Sequence, residues 1–467
     1  MLEQPIEHVQ STAYRAALEV VRTLTLAGHQ AFFAGGCVRD LLLGIEPKDF
    51  DVATSATPQI VQNLFPRTEA VGAHFGVILV ITHKGDRRHA IEVATFRSDG
   101  AYTDGRRPDA VHFSTHPRED VLRRDFTVNG MLFDAVGFEQ TDYLEGSILD
   151  FVNGRDDLKL GLIRAVGKPQ RRFTEDKLRT LRAVRFAARL GFNIEPVTAA
   201  AIAALSPAIH QVSAERVRDE LSRMLTEGHA RRAFELLDEL GLLAEVLPEA
   251  VAMHGVEQPA DWHPEGDVWT HTMLLLEKLE PGCSSTLAWG ALLHDIGKPA
   301  TYHLDRSGPA PRIRFNGHVE VGVRIAEVIL KRLRFSNEDT EQIVALIKNH
   351  MRFGDVPQMK ESTLKRFLRL PRFDEHLQLH WLDCSSCHGK LGIWESAKER
   401  YEAEPAVEHR PQLLVTGRDL IANGYKPGPR FKVMLEAAED SQLEGTIHST
   451  AEGLALIDER FGEPSHT

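Results

Sequence analysis

The 467-residue chain has only four cysteines (Cys37, Cys283, Cys384 and Cys387), too few for a disulfide framework in a protein of this length. Residues 1–10 carry no basic-then-apolar leader pattern, so the cytoplasm is the expected compartment. Long apolar runs are also missing. Stretches such as Val77 to Ile81 are strand-sized, far below the roughly 20 residues that span a bilayer, and no membrane segment is expected. Nor is there an excess of positive charge. Lys and Arg number 55 against 67 Asp and Glu, and the net charge of -12 excludes a chain that coats nucleic acid by bulk electrostatics. Any nucleic-acid site must be a local basic surface.

What is present is an ordinary globular balance, 42% hydrophobic and 26% charged, in a chain long enough for about three domains. Apolar residues recur at helical spacing from Thr12 to Ala27, and Ala31 to Ala34 then reads as a short strand running into Gly35-Gly36. Further strands are expected at Phe50 to Ala53, Phe75 to Thr82, Ala90 to Arg97, Ala110 to Ser114 and Met131 to Asp134. After Leu158 the pattern turns almost wholly helical, with stretches at Glu175 to Leu190, Val212 to Leu225 and Arg231 to Leu240. Gly- and Pro-bearing loops at Gln258 to Gly266 and Leu304 to Gly317 interrupt it. Boundaries are therefore expected to give an α/β segment 1–155 and all-helical segments 156–258, 259–390 and 391–467.

Three segments of the first half carry chemistry. Gly35-Gly36-Cys37-Val38-Arg39-Asp40 places a glycine turn before a helix whose first turn holds an arginine, an arrangement that suits an anionic phosphate or serves simply as a turn. Asp49 and Asp51 are two apart on an expected strand and so share a face. Paired carboxylates suit Mg²⁺ bridging to substrate phosphates, although a lone D-x-D is also a common solvated strand edge. Glu92 on a neighbouring strand is a candidate third carboxylate.

In order, Gly35 to Asp51, Arg123 to Asn129 (RRDFTVN) and Glu175 to Arg182 (EDKLRTLR) resemble the signatures of the class II tRNA nucleotidyltransferase and bacterial poly(A) polymerase group, within the polymerase-beta-like nucleotidyltransferases. The resemblance implies a multidomain fold, an α/β nucleotidyltransferase head over 1–155 followed by a helical neck and body over 156–258. It implies that Asp49 and Asp51 hold the catalytic Mg²⁺, to which Glu92, from its strand position, is a candidate third catalytic carboxylate. Gly35, Gly36, Arg39 and Arg124 are then expected to hold the incoming nucleotide. The expected partners are tRNA, CTP and ATP, with no DNA.

On a helix expected to begin near Thr174, Asp176, Arg179 and Arg182 form one stripe, while Leu181, Val184 and Ala188 lie opposite. Cytosine and adenine each present an amino donor beside a ring-nitrogen acceptor; uracil and guanine present a carbonyl beside an N–H. One carboxylate and one guanidinium match the first pair only, so Asp176 and Arg179 can replace a template. Arg182 and Arg185 are expected to support the stripe or the phosphates. The Arg97 to Pro108 segment, rich in Gly, Asp and Arg, resembles the flexible loop of CCA-adding members and weighs against a CC-only enzyme. Template-independent CCA addition to tRNA is the leading expectation. A poly(A) polymerase or A-adding enzyme is the alternative, and an RNA-binding hydrolase with an inactive head is the competitor from another class.

The second half holds His271, adjacent His294-Asp295, His318, His350 and Asp383, all in helical patterns. Imidazoles and carboxylates on neighbouring helices can converge on divalent metal and activate water for hydrolysis. Their order resembles HD-superfamily phosphohydrolases over roughly 260–390, which implies a second divalent metal whose identity stays open. Cys384-Ser385-Ser386-Cys387-His388 also matches a haem-attachment pattern. That reading is rejected for want of an export route, and the two cysteines are expected to pack.

Overall fold

The helical pattern after Ser11 folds as α1 (Thr12–Leu26), capped by the Ser11 hydroxyl and burying Tyr14, Ala17, Val21 and Leu24 along one face. That face lies on a sheet whose strands are β1 (Ala31–Ala34), β2 (Asp51–Thr54), β3 (Thr68–Gly72), β4 (Val77–Lys84), β5 (Arg87–Thr95), β8 (Met131–Phe133) and β9 (Ile148–Asp150), with β6 (Arg97–Asp99) and β7 (Val111–Phe113) forming a separate pair. The order across the large sheet is β3-β4-β5-β2-β1-β8-β9. Tyr14, Phe33 and Phe50 meet with ring centroids 5.3–5.6 Å apart and seal α1 to the sheet. The computed structural model describes residues 11–72, 76–84, 87–100, 110–141, 143–308, 310–403 and 412–463. Residues 101–108, most of the loop expected to mark a CCA-adding enzyme, lie outside them.

The chain divides into two units, Met1–Val251 and Ala252–Thr467. In the first, α2 (Gly36–Leu42) leaves β1, and α3 (Pro169–Glu175), α4 (Leu178–Leu190) and α5 (Ala214–Thr226) follow the sheet. The single helix expected over Glu175 to Leu190 is in fact two. Asp176 takes an extended conformation (φ -145, ψ 107) and breaks the helix between Glu175 and Leu178. Leu181, Val184 and Ala188 are buried, as their spacing predicts.

The second unit is helical, with α6 (Val268–Glu277), α7 (Ser285–Leu293), α8 (His318–Arg332), α9 (Asn337–Asn349) and α10 (Phe373–Ser386) around a core that includes Trp289, Leu292 and Leu346. The expected loop from Leu304 to Gly317 contains a hairpin, His303–Asp305 paired with Arg312–Arg314. Residues from Val415 to Ile457 build a further small core of their own. No helix among the described residues is long and apolar enough to cross a membrane.

Candidate active site and metal centre

Gly35 has a φ of +80, which a side chain would strain, and it turns the chain from β1 into α2. A Cβ there would lie 3.0 Å from Arg124 Nη1, so the bare glycine lets that guanidinium lie over the turn. Antiparallel pairing of β1 with β2 ends at Ala34–Asp51 because Gly35 turns away. Asp49 therefore falls before the strand, exposed, and only Asp51 of the pair is on β2, which corrects the expectation that both sit on one strand. Glu92 is where the sequence puts it: β5 runs parallel to β2 with Val52 opposite Val93, which brings Glu92 level with Asp51. Packing on its buried side and repulsion from Glu92 push the Asp51 carboxyl up to about 6, against the attraction of Arg124, although the residue keeps an exposed edge. Crowded carboxylates of this kind fit a divalent cation.

Two arginines expected at the nucleotide are placed elsewhere. Arg39 is 2% exposed, its guanidinium bound to Asp40 at 2.8 Å and Asn129 at 2.7 Å, so it braces α2 from within. Arg185 is likewise buried, pairing with Glu220 at 2.7 Å and Glu227 at 3.2 Å over the Phe186 ring. It points to α5, whose Glu220 supplies a buried counter-charge.

Arg123, Arg124, Asp125, Asp176, Arg179 and Arg182 line one cleft of about 310 Å³. Asp120, fully buried, takes Arg123 at 2.5 Å and Arg124 at 3.0 Å and fixes both. Arg182 donates to Asp125 at 2.8 Å, and although burial opposes ionisation, that contact brings the Asp125 carboxyl down to about 2. Arg179 does not pair with Asp176. It is held by Glu175 at 3.2 Å and by the Arg172 and Arg123 carbonyls, while Asp176 accepts from Arg216 at 2.9 Å. The extended backbone at Asp176 explains the exchange, since the i, i+3 geometry of an unbroken helix is absent. Glu175, Arg172 and Arg216 were not singled out by sequence, where they look like ordinary helix-surface charges.

In the second unit the six expected residues converge. Among the described residues, His271, His294 and Asp383 form one group with ligand atoms within 4.8 Å of each other, and Asp295, His318 and His350 form another. Asp295 joins them, with Oδ2 3.1 Å from His294 Nε2 and Oδ1 3.8 Å from both His318 Nε2 and His350 Nε2. His294, His318 and His350 each sit where a helix ends or begins, and each Nδ1 lies 2.7–2.9 Å from the carbonyl three residues earlier. Donation there leaves Nε2 bare and aimed inward, the tautomer that metal needs. His271 uses Glu265 instead, at 2.7 Å, and Glu265 also takes His263 at 2.9 Å. Nε2 of His271 and of His294 are buried, each 3.1 Å from a carboxylate oxygen, Asp383 Oδ1 and Asp295 Oδ2, but without the geometry of a hydrogen bond. Inward-facing imidazoles that converge with buried carboxylates fit divalent metal.

Buried carboxylates and an ammonium set the proton affinities in this centre. Burial opposes protonation of His271, but the Asp383 and Glu265 carboxylates raise it to about 9; burial lowers His350 to about 4. Asp295 is held well below the usual carboxylate range, despite its burial, by His294 and by Lys298 at 2.6 Å. Glu265, His263 and Lys298 escaped the sequence reading. Lys298 follows Asp295 by three residues, a signal that could have been used; Glu265 lay in a segment read as a linker. Cys384 packs inside α10 and Cys387 donates to the Asp383 carbonyl, as packing residues should.

Residues 31–164 match the family described as "Poly A polymerase head domain", 191–253 the "Probable RNA and SrmB- binding site of polymerase A", and 266–374 the "HD domain". The CCA-adding enzyme of Geobacillus stearothermophilus is 30% identical over 440 residues, covering 94% of this chain and 95% of its own. That of Bacillus pumilus is 31% identical over 454 residues, covering 95% and 98%. A solved structure of the Bacillus stearothermophilus CCA-adding enzyme in complex with CTP superposes with a TM-score of 0.71 at 27% identity, covering 96% of this chain and 98% of that one. The Thermotoga maritima CCA-adding enzyme complexed with tRNA shares the fold at 18% identity and a TM-score of 0.56, covering 97% and 96%.

Proposed function

The chain belongs to the family of CCA-adding enzymes, and from that membership and its cleft we propose that it rebuilds the 3′ CCA end of tRNA from CTP and ATP, in the cytoplasm, without a template. The observation that carries this is the meeting of one carboxylate, Asp176, with the guanidinium groups of Arg179 and Arg182 in a single cleft beside Arg123 and Arg124. Asp176 accepts the exocyclic amino group shared by C and A, and Arg179 donates to the neighbouring ring nitrogen. Arg124, lying over Gly35 near Asp51, supplies positive charge to the triphosphate. Asp49 and Asp51, with Glu92 alongside, are the residues that would hold Mg²⁺, which when bound neutralises the departing pyrophosphate and favours ionisation of the RNA 3′ hydroxyl. Positioning and electrostatics then account for the rate.

The test offers tRNAs ending before the first C, after the second C, or complete, with each nucleotide separately. C, C and A added in order, and nothing added to complete tRNA, supports the reading; A added to every substrate would instead make it a poly(A) polymerase. Asp176→Ala should raise UTP and GTP incorporation relative to CTP and ATP by about 10- to 100-fold, because a wrong base no longer leaves a buried polar group unpaired.

The metal centre of the second unit supports a second activity, hydrolysis of a phosphoester. His271, His294, Asp295, His318, His350 and Asp383 would hold one or two divalent ions, which when bound supply the Lewis acidity that makes water nucleophilic. Hydrolysis of a 2′,3′-cyclic phosphate with Mn²⁺, Ni²⁺, Co²⁺ or Mg²⁺ tests it, and no turnover with any of the four leaves the centre structural.

A further inference from the structure

Asp176 stands alone between two helices. Its extended backbone gives the side chain none of the support that an interior helical position provides, yet base choice needs a carboxylate fixed to a fraction of an ångström. Two donors fix it. Oδ1 accepts from the Leu178 backbone N–H at 3.1 Å, and Oδ2 accepts from Arg216 Nη2 at 2.9 Å. Arg216 comes from the first turn of α5, and one turn further along the same face Glu220 pairs with Arg185 at 2.7 Å and approaches Arg182 at 3.7 Å. α5 therefore grips the selecting segment at both ends. Arg216 is not among the residues lining the cleft, whereas Asp176, Arg179 and Arg182 are. A carboxylate has about four lone-pair sites, so after these two bonds each oxygen of Asp176 keeps one for a base.

We propose that Arg216 is a positioning residue for base selection, orienting the Asp176 carboxylate so that its free lone pairs meet the amino group of C or A. The inference rests on the reading of Asp176 as the selecting carboxylate. Without Arg216 the carboxylate rotates about its side-chain bonds and tolerates the carbonyl edge of U or G at little extra cost. The effect falls on selectivity, since Arg216 pairs with Asp176 and not with Asp49, Asp51 or Glu92.

The experiment compares Arg216→Ala, Arg216→Lys, Asp176→Ala and the double variant, each as the full chain, measuring kcat and KM for all four nucleotides on tRNA lacking its CCA end. Arg216→Ala should lower the preference for CTP and ATP over UTP and GTP by about tenfold, the size expected for one charge-assisted hydrogen bond. Arg216→Lys should recover part of it, because an ammonium keeps the charge but loses the planar fork. The double variant should discriminate no worse than Asp176→Ala alone. An Arg216→Ala enzyme that loses kcat/KM equally for all four nucleotides while Asp176→Ala loses preference overturns the inference and leaves the selector intact. An Asp176→Ala enzyme that keeps its preference overturns the selector itself. If Arg216→Ala does not fold, Arg216→Lys and Arg216→Gln carry the same comparison.

Discussion

Gly297 is tightly enclosed by backbone in the second unit. An ideal Cβ there would lie 2.1 Å from the His318 carbonyl oxygen, 2.5 Å from the Gly322 nitrogen and 2.9 Å from the Gly322 Cα. All three are backbone atoms, so no flexible side chain can swing aside. Ordinary contact needs about 3.5 Å, and Gly297→Ala must therefore push the start of α8 away by about 1 Å or more. Overpacking of this kind costs about 1–3 kcal/mol, and with backbone on the receiving side the upper end is expected. The same shift moves His318, whose Nε2 stands 3.5 Å from His350 Nε2 and 3.8 Å from Asp295 Oδ1. Affinity for Mn²⁺ or Co²⁺ should fall by about 10- to 100-fold, as when other supports of metal ligands are disturbed. Urea unfolding measures the first effect and calorimetric metal titration of the full chain the second. Gly354→Ala is the control: it is exposed, a Cβ there meets nothing within 4 Å, and its stability should stay within about 1 kcal/mol of the parent. A Gly297→Ala protein with an unchanged unfolding midpoint and unchanged metal affinity refutes the argument.

Asp49→Ala or Asp51→Ala should abolish nucleotide addition while tRNA binding in a filter or shift assay persists; substantial residual addition in either would remove these residues from the catalytic site. His294→Ala or Asp295→Asn should eliminate metal-dependent phosphoester hydrolysis yet leave CCA addition nearly intact, a separation read by running both assays on one preparation. Arg185→Ala strips a 5%-exposed guanidinium from an equally buried Glu220 and should cost about 3–5 kcal/mol in urea unfolding, with Glu220→Gln added to the same chain recovering part of the loss. Burial, with repulsion from Arg352, lowers His376 to about 4, whereas an unfolded histidine titrates near about 6.5. Between those values the unfolded chain binds a proton that the folded chain refuses, so the contribution is complete above about pH 6.5 and is lost as pH falls towards 4, roughly 3 kcal/mol in all. His376→Phe should flatten the slope of urea midpoint against pH in that window; an unchanged slope would assign it to other groups.

Much of this protein is legible in residue order because the chemistry is local. Alternating and helical spacings between Thr12 and Asp134 mark the head's main strands and first helix, since burial of one face imposes the period. The edge strands β3 and β9 escape notice: Thr68–Gly72 and Ile148–Asp150 are short and mixed in character, and only their neighbours make them strands. The six residues of the candidate metal centre could be chosen one by one because imidazoles and carboxylates declare their chemistry by type. Their supports could not, because Glu265 becomes a partner of His271 only when the loop before α6 folds back, and Lys298 only when Asp295 is buried beside it. The same division holds in the cleft. Sequence by itself determined that carboxylate and guanidinium stand close together at Asp176 to Arg182. Tertiary structure decided which of them are free, sending Arg39 and Arg185 into the interior and handing Asp176 to Arg216, forty residues away in the chain. A buried charge must find its counter-charge wherever the fold puts one, and that choice is made between elements that sequence spacing does not relate.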